Sequence, residues 1–200
     1  MTLLEERPSE TFHERSIPVL ETKRLALRAP RLEDAKTVAT LVNDRRIAEN
    51  CARIPHPYKV SDAETFIGSI NRADGEATFL VTLRDETVIG TCGIASGEQG
   101  AEVGYWLGAA HWGKGYATEA LHAVIDYAFT DLGHAALAAG ARVTNPASRR
   151  VLEKCGFQWT GVGLYRIRAI NSSAPIDRFR LERGIWSALK GWGRSKKVMM

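Results

Sequence analysis

The stretch Glu102-Val-Gly-Tyr-Trp-Leu-Gly-Ala-Ala-His-Trp-Gly-Lys-Gly-Tyr-Ala-Thr-Glu-Ala120 runs from a buried strand through a glycine-bearing turn into an apolar helix. Ala117, Ala120, Leu121, Val124, Ile125, Ala128, Phe129 and Leu132 recur at helical spacing, and Gly133 follows as a stop. Around Gly113 and Gly115 the main chain can meet a ligand without Cβ interference, and the first amides of a helix have no intrahelical acceptor. With the positive end of the helix dipole behind them, those amides form a cradle for a pyrophosphate. Other phosphate loops do not fit. There is no Gly-x-x-x-x-Gly-Lys-Ser/Thr, and the glycines lack the Gly-x-Gly-x-x-Gly spacing of a dinucleotide-binding turn. Taken alone, a Gly-x-Gly pair ahead of a helix equally describes a tight connection that holds no ligand.

A second segment adds specificity. Ala139-Gly-Ala-Arg-Val-Thr-Asn145-Pro-Ala-Ser148-Arg-Arg-Val-Leu152-Glu-Lys-Cys-Gly156-Phe157 reads as a strand, a sharp stop, a short helix and a glycine exit. Asn145 suits an N-cap, Pro146 the first helical position and Gly156 the left-handed residue past the end. Each residue singly has this purely structural reading. The two segments in this order, separated by one amphipathic helix and one strand, form a far rarer pattern.

Together they resemble the GNAT superfamily of N-acetyltransferases, and within it the branch that includes the ribosomal-protein N-terminal acetyltransferases of the RimJ/RimL type. The resemblance runs from about Glu21 to about Trp186. It begins with Leu20-Glu-Thr-Lys-Arg-Leu-Ala-Leu-Arg28 as an opening strand and Leu32-Glu-Asp-Ala35 at the start of the first helix, and it ends with Val151-Leu-Glu-Lys-Cys-Gly-Phe157. It implies a mixed α+β acyl-CoA N-acyltransferase fold: a twisted, mostly antiparallel sheet of about six to seven strands, helices on both faces and a splayed central strand pair. A coarse reading of the sequence agrees. Strands fall at Leu25 to Arg28, at a hairpin of Phe79 to Leu83 and Val88 to Ile94, at Gln158 to Arg166 and at Arg178 to Arg183, with helices near Glu33 to Asn43 and Ser61 to Asn71.

The resemblance also implies an acyl-CoA cosubstrate, most often acetyl-CoA, held by the two segments. In the superfamily's Gln/Arg-x-x-Gly-x-Gly/Ala signature, Trp112 takes the first position, with Gly115 and Ala117 in the later two. Backbone amides from Gly113 through Lys114, Gly115, Tyr116 and Ala117 to Thr118 would bind the phosphates. Trp106 and Leu107 would expose backbone groups to the pantetheine arm, and Asn145 would bond that arm from the other side. Lys114, Arg149 and Arg150 are available to phosphates, although exposed basic residues on helices are commonly just solvated.

Direct transfer needs a neutral amine, a polarised thioester carbonyl and support for the departing thiolate. Glu102 matches the place where some GNAT enzymes carry a glutamate that works through water; a carboxylate on a half-buried strand is its plain structural reading. A backbone amide near Trp106 or Leu107 would polarise the carbonyl. Many GNAT enzymes carry a tyrosine in the helix before the Gly-Phe pair, where this chain has Leu152. In the RimJ/RimL-like branch a serine in the Asn-x-x-Ser turn supports the thiolate, and Ser148 matches it. Tyr105, Tyr116 and Tyr165 are the other available phenols, and each also reads as packing or cofactor-facing surface.

The 200 residues, 44% hydrophobic, suffice for one catalytic domain over 18–186, with a loose polar arm at 1–17 and a basic tail at 187–200. The arm lacks the apolar core of a signal peptide, and no segment has the length of a transmembrane helix, which leads us to expect a cytoplasmic protein. Cys51, Cys92 and Cys155 form no Cys-x-x-Cys pair, and no His/Cys cluster has metal-ligand spacing, so neither a metal nor a cysteine nucleophile is expected. The net charge of +4 comes from Lys and Arg scattered among 23 acidic residues, without the aromatic-basic stripe of a nucleic-acid surface.

Two functions remain open at this level. One is transfer of acetyl from acetyl-CoA to a primary amine, either a protein N-terminus such as that of a ribosomal protein or a small molecule. The other is a non-catalytic acyl-CoA sensor that keeps the cradle. The acceptor groove is expected between Asn43 and Phe66, with Arg45, Arg46, Glu49 and Ile54-Pro-His-Pro-Tyr58, and along Tyr165 to Asp177. Monomer and homodimer both fit the sequence.

Overall fold

The computed structural model describes residues 17–70 and 75–195, the last four as backbone only. The expected N-terminal arm, save Ile17, the end of the helix expected to reach Asn71, and residues 196–200 of the basic tail lie outside the described residues. Strands β1 (Leu20–Glu21) and β2 (Leu25–Arg28) lead through a 3-10 turn to helices α1 (Ala35–Val42), α2 (Arg45–Ala48) and α3 (Val60–Ser69). The hairpin of β3 (Ala77–Leu83) and β4 (Val88–Gly97) follows, then β5 (Gly100–Leu107), α4 (Tyr116–Thr130), β6 (Ala136–Arg142) and α5 (Pro146–Lys154). The chain closes with β7 (Gln158–Ile167), β8 (Ser172–Glu182) and α6 (Arg183–Ser195). The strands form one sheet of 8 in the order β1-β2-β3-β4-β5-β6-β8-β7, antiparallel at every junction except β5–β6. The strand beyond the expected six to seven is β1, which pairs through Leu20↔Leu27 and Glu21↔Ala26 alone and is too short to carry a periodicity.

Helices cover both faces because the strands alternate in what they bury. On β3, Ala77, Phe79 and Val81 enter the main core under α4, while Leu80 joins Ala35, Val38 and Ala39 of α1 and Ala63 of α3 on the opposite face. A register shift at Val81/Thr82 inserts Ile89 as an extra residue of β4, which turns it into the main core beside Cys92 and Ile94. Phe79 meets Tyr127 of α4 edge-on, with ring centroids 5.7 Å apart. Helix α6 docks through Trp186, whose ring lies 5.1 Å from Phe129 and whose Nε1 donates to Asp126 Oδ1 at 2.8 Å.

The feature that positions the site is the weak seam between β5 and β6. These parallel strands pair only at Glu102↔Ala138 and Val103↔Ala139, after which they diverge. Beyond Val103 the C-terminal half of β5 faces an open gap, while its other edge stays zipped to β4 as far as Gly90↔Leu107. The expected splay of a central strand pair is therefore present.

Candidate active site

The turn after β5 is a backbone device. Gly113 (φ 73°) and Gly115 (φ 79°) both lie in the left-handed region, and a Cβ on Gly113 would meet nothing within 4 Å, so conformation rather than crowding calls for glycine there. Gly115 is the N-cap of α4 and has no side chain to cap it, which leaves the first-turn amides of Tyr116, Ala117 and Thr118 aimed out of the helix. The arrangement fits the pyrophosphate of an acyl-CoA. Lys114 is exposed between the glycines, and Arg150 is exposed on α5 along the same cleft.

Arg24 holds this turn, and sequence reasoning missed it. Its Nη1 donates to the Lys114 carbonyl at 2.9 Å, its Nε to Glu119 Oε2 at 2.6 Å, and its guanidinium lies 4.6 Å from the centre of the Tyr116 ring. Glu119 also accepts from the Arg24 amide and from Thr22 Oγ1. Burial would raise the Glu119 carboxyl, but the hydrogen bonds from Thr22 and Arg24 hold it below the ordinary carboxylate value. The only signal was Thr22-Lys-Arg24 in the opening motif, and its target lies 95 residues away.

In the gap itself, the antiparallel ladder decides which amides are free. Gly108 N–H donates to Ile89 O at 2.8 Å, which makes Gly90↔Leu107 a non-hydrogen-bonded pair and places Trp106 in a bonded pair with Thr91. The amides of Tyr105 and Leu107 therefore point into the gap, whereas the backbone groups of Trp106 are taken by β4, so of the two residues expected to expose backbone there Leu107 does and Trp106 does not. Trp112 closes the end: its indole Nε1 donates to Leu107 O at 2.7 Å, and the Arg46 guanidinium lies 5.4 Å from its ring centre.

Glu102 stands at the point where the strands part, on the face of β5 opposite the main core. Gly97 makes room for its side chain, since a Cβ there would lie 2.5 Å from Oε2, and Gly140 lies alongside at ordinary contact distance from Oε1. Burial pushes its carboxyl above the ordinary value; the charge of Arg53 works against this and that of Glu98 adds to it. A carboxylate of raised proton affinity is suited to accept a proton.

Ser148 approaches from the other wall. Asn145 caps α5 with Oδ1 accepting from Ser148 N at 3.1 Å, leaving its amide nitrogen for other partners. Ser148 Oγ lies 2.9 Å from the Tyr105 hydroxyl, and Ser148 O, at 3.2 Å, is a second acceptor within reach of the same phenol proton. Leu152, where many GNAT enzymes carry a tyrosine, is buried in the main core. Of the other phenols, Tyr116 stacks under Arg24, and Tyr165 lies under Arg178 at 5.4 Å in the cleft wall. Glu102, Ser148, Trp106, Trp112 and Asn145 all line one cleft of about 1140 Å³, with Arg53, Tyr58, Phe66, Tyr165 and Arg168 on its far side.

Burial raises all three cysteine thiols, Cys51 and Cys155 to about 12, so the chain offers no ready thiolate nucleophile. Among the described residues no group of His, Cys, Asp and Glu could hold a metal, and no helix is long and apolar enough to cross a membrane.

The family profile of the acetyltransferase (GNAT) domain matches residues 24–158. An uncharacterized N-acetyltransferase, p20 of Bacillus licheniformis, is 38% identical over 150 residues, covering 72% of this chain and 84% of that protein. In fold the chain is similar to Mycobacterium smegmatis RimJ in complex with CoA-disulfide (TM-score 0.71, 20% identity, 86% of this chain and 90% of that one). It is likewise similar to the spermidine N-acetyltransferase of Vibrio cholerae in complex with CoA and spermine (TM-score 0.70, 23% identity, 82% and 99%). The profile spans the phosphate turn, the splayed seam and the Asn-x-x-Ser helix, and the chain belongs to the GNAT family as an acetyl-CoA-dependent N-acetyltransferase.

Proposed function

We propose that the enzyme belongs to the RimJ/RimL-like branch and transfers acetyl directly from acetyl-CoA to a primary amine, with Glu102 as the base and Ser148 supporting the leaving thiolate. The observation that carries this reading is the placement of the two groups on opposite walls of the same gap, Glu102 at its vertex and Ser148 at the start of α5. Glu102, through water, removes the proton that would otherwise keep the amine's lone pair from reacting. The Tyr105 and Leu107 amides supply donors for the carbonyl oxygen. Gly113 to Thr118 hold the phosphates, Trp106, Leu107 and Asn145 flank the pantetheine arm, and Lys114 and Arg150 add positive charge.

The acceptor is a protein N-terminus, such as that of a ribosomal protein, or a small amine. A ribosomal-protein-S5-alanine acetyltransferase of Vibrio fischeri and the spermidine enzyme represent these two choices on the same fold. The decisive experiment is acetyl-CoA-dependent release of free thiol against N-terminal peptides and small amines, run on the wild type and on Glu102→Gln with Ser148→Ala. The reading requires robust turnover on one acceptor class, lost in the double variant while acetyl-CoA still binds. Unchanged turnover in that variant sinks both assignments, and tight binding without turnover on any acceptor would favour the sensor.

A further inference from the structure

Among the described residues, Tyr105 is the phenol that reaches the Asn-x-x-Ser turn. Odd-numbered residues of β5 face the main core, with Val103 and Leu107 buried in it and Tyr105 packed against it. From there its hydroxyl crosses to the first turn of α5, 2.9 Å from Ser148 Oγ. The helix has no phenol of its own at this place, since Leu152, one turn along, is core. The serine is pinned on its other side by the hydrogen bond from its amide to Asn145 Oδ1.

The phenol has one proton and two acceptors on Ser148, Oγ at 2.9 Å and the backbone carbonyl at 3.2 Å, so it either gives its proton to the carbonyl and accepts from the serine, or gives it to Oγ, the shorter contact. If Ser148 donates to the phenol, its single proton is committed and the hydroxyl can only accept from a ligand. If the phenol donates to Ser148 Oγ, the serine proton is released toward the cleft. We propose that Tyr105 is a positioning residue of the transfer step, donating to Ser148 Oγ so that the serine hydroxyl is turned as a donor toward the departing sulfur of the thioester. This rests on the role assigned to Ser148 above.

In the step, the bond between amine nitrogen and acetyl carbon forms as the carbon–sulfur bond breaks, its electron pair passing to sulfur. The amine proton goes to Glu102 and on to water, and the sulfur regains a proton from water as free CoA leaves. Tyr105 and Ser148 keep theirs. Burial pushes the Tyr105 phenol above its ordinary range, against the opposing hydrogen bond with Ser148, so the phenol remains a donor across the working pH and is a poor source of a proton for the thiolate.

The test compares wild type, Tyr105→Phe, Ser148→Ala and the double variant. Tyr105→Phe keeps the ring in its packing, and thermal unfolding checks that each variant is folded. Calorimetric binding of CoA and desulfo-CoA at mildly alkaline pH reads the donor to sulfur without turnover. We expect the preference for CoA to fall about fivefold in either single variant and no further in the double. In turnover, kcat should fall about tenfold in Tyr105→Phe with KM for acetyl-CoA unchanged. If Tyr105→Phe keeps the wild-type preference and kcat while Ser148→Ala loses both, the proposal is wrong and the Ser148 role stands. If Ser148→Ala keeps both, the Ser148 role fails and Tyr105 falls with it. Additive losses in the double variant would place Tyr105 outside the serine's hydrogen bond and overturn the proposal.

Discussion

On the reading proposed above, the donor half and the acceptor half of the cleft are built by different means. On the donor side, the phosphate turn and the gap present main-chain amides, placed by two left-handed glycines, an uncapped helix start and the alternation of one ladder. On the acceptor side, the wall is made of side chains from segments far apart in the chain, with Arg53 and Tyr58 after α2, Tyr165 on β7 and Arg168 just beyond it. A site made of backbone tolerates exchange of most side chains and is intolerant of a few glycines. A site made of side chains can be respecified residue by residue while the cosubstrate stays fixed. One fold can thereby keep its donor and change its acceptor.

If the halves are separable in this way, substitutions should separate them in measurement. Glu102→Gln should lower kcat about a hundredfold while acetyl-CoA affinity, read by calorimetry, stays at the wild-type level. A parallel loss of affinity would break the division. Gly115→Ala should do the reverse, weakening CoA binding about tenfold through the cost of a left-handed alanine, with KM for the amine unchanged. Arg24→Gln is milder because the pair with Glu119 is partly solvated: about threefold weaker CoA binding, with no change in amine KM. The smallest effect concerns pH. Glu102 must be ionised to act, burial already raises it and Arg53 opposes that rise, so Arg53→Gln should move the acidic limb of the kcat/KM profile to higher pH. A limb that stays in place, or moves down, would remove Arg53 from the base's surroundings.

The same division explains what could be read from sequence. Strand β5, its turn, α4 and α5 were legible because their signals are local: glycine spacing, a 3.6-residue apolar period, and an Asn-Pro helix start. Strand β8 was expected only from Arg178, yet it begins at Ser172, because Pro175 reads as a strand breaker. Proline is tolerated there because β6 ends at Arg142, opposite Ile176, so no strand asks for its missing N–H. The single-turn helix α2 carries too few residues for any period. Arg24 on Lys114, Tyr105 on Ser148 and Arg53 near Glu102 were beyond sequence reasoning for a common reason: each joins segments 43 to 90 positions apart or works through space, and no local pattern encodes such a meeting.

The two-rung seam has a mechanical meaning. Strands β1–β5 and β6–β8 resemble two leaves of one book, joined in their ladder along Glu102/Val103 and Ala138/Ala139 and bridged beyond it by Tyr105 on Ser148. When leaves open, points far from the spine travel most and points on it hardly at all. Leu107 and Ser148 sit out on the leaves, where an incoming thioester arm must be admitted, whereas Glu102 sits at the spine. Any widening of the gap to admit a long molecule would therefore displace Leu107 and Ser148 most and leave the carboxylate almost where it was.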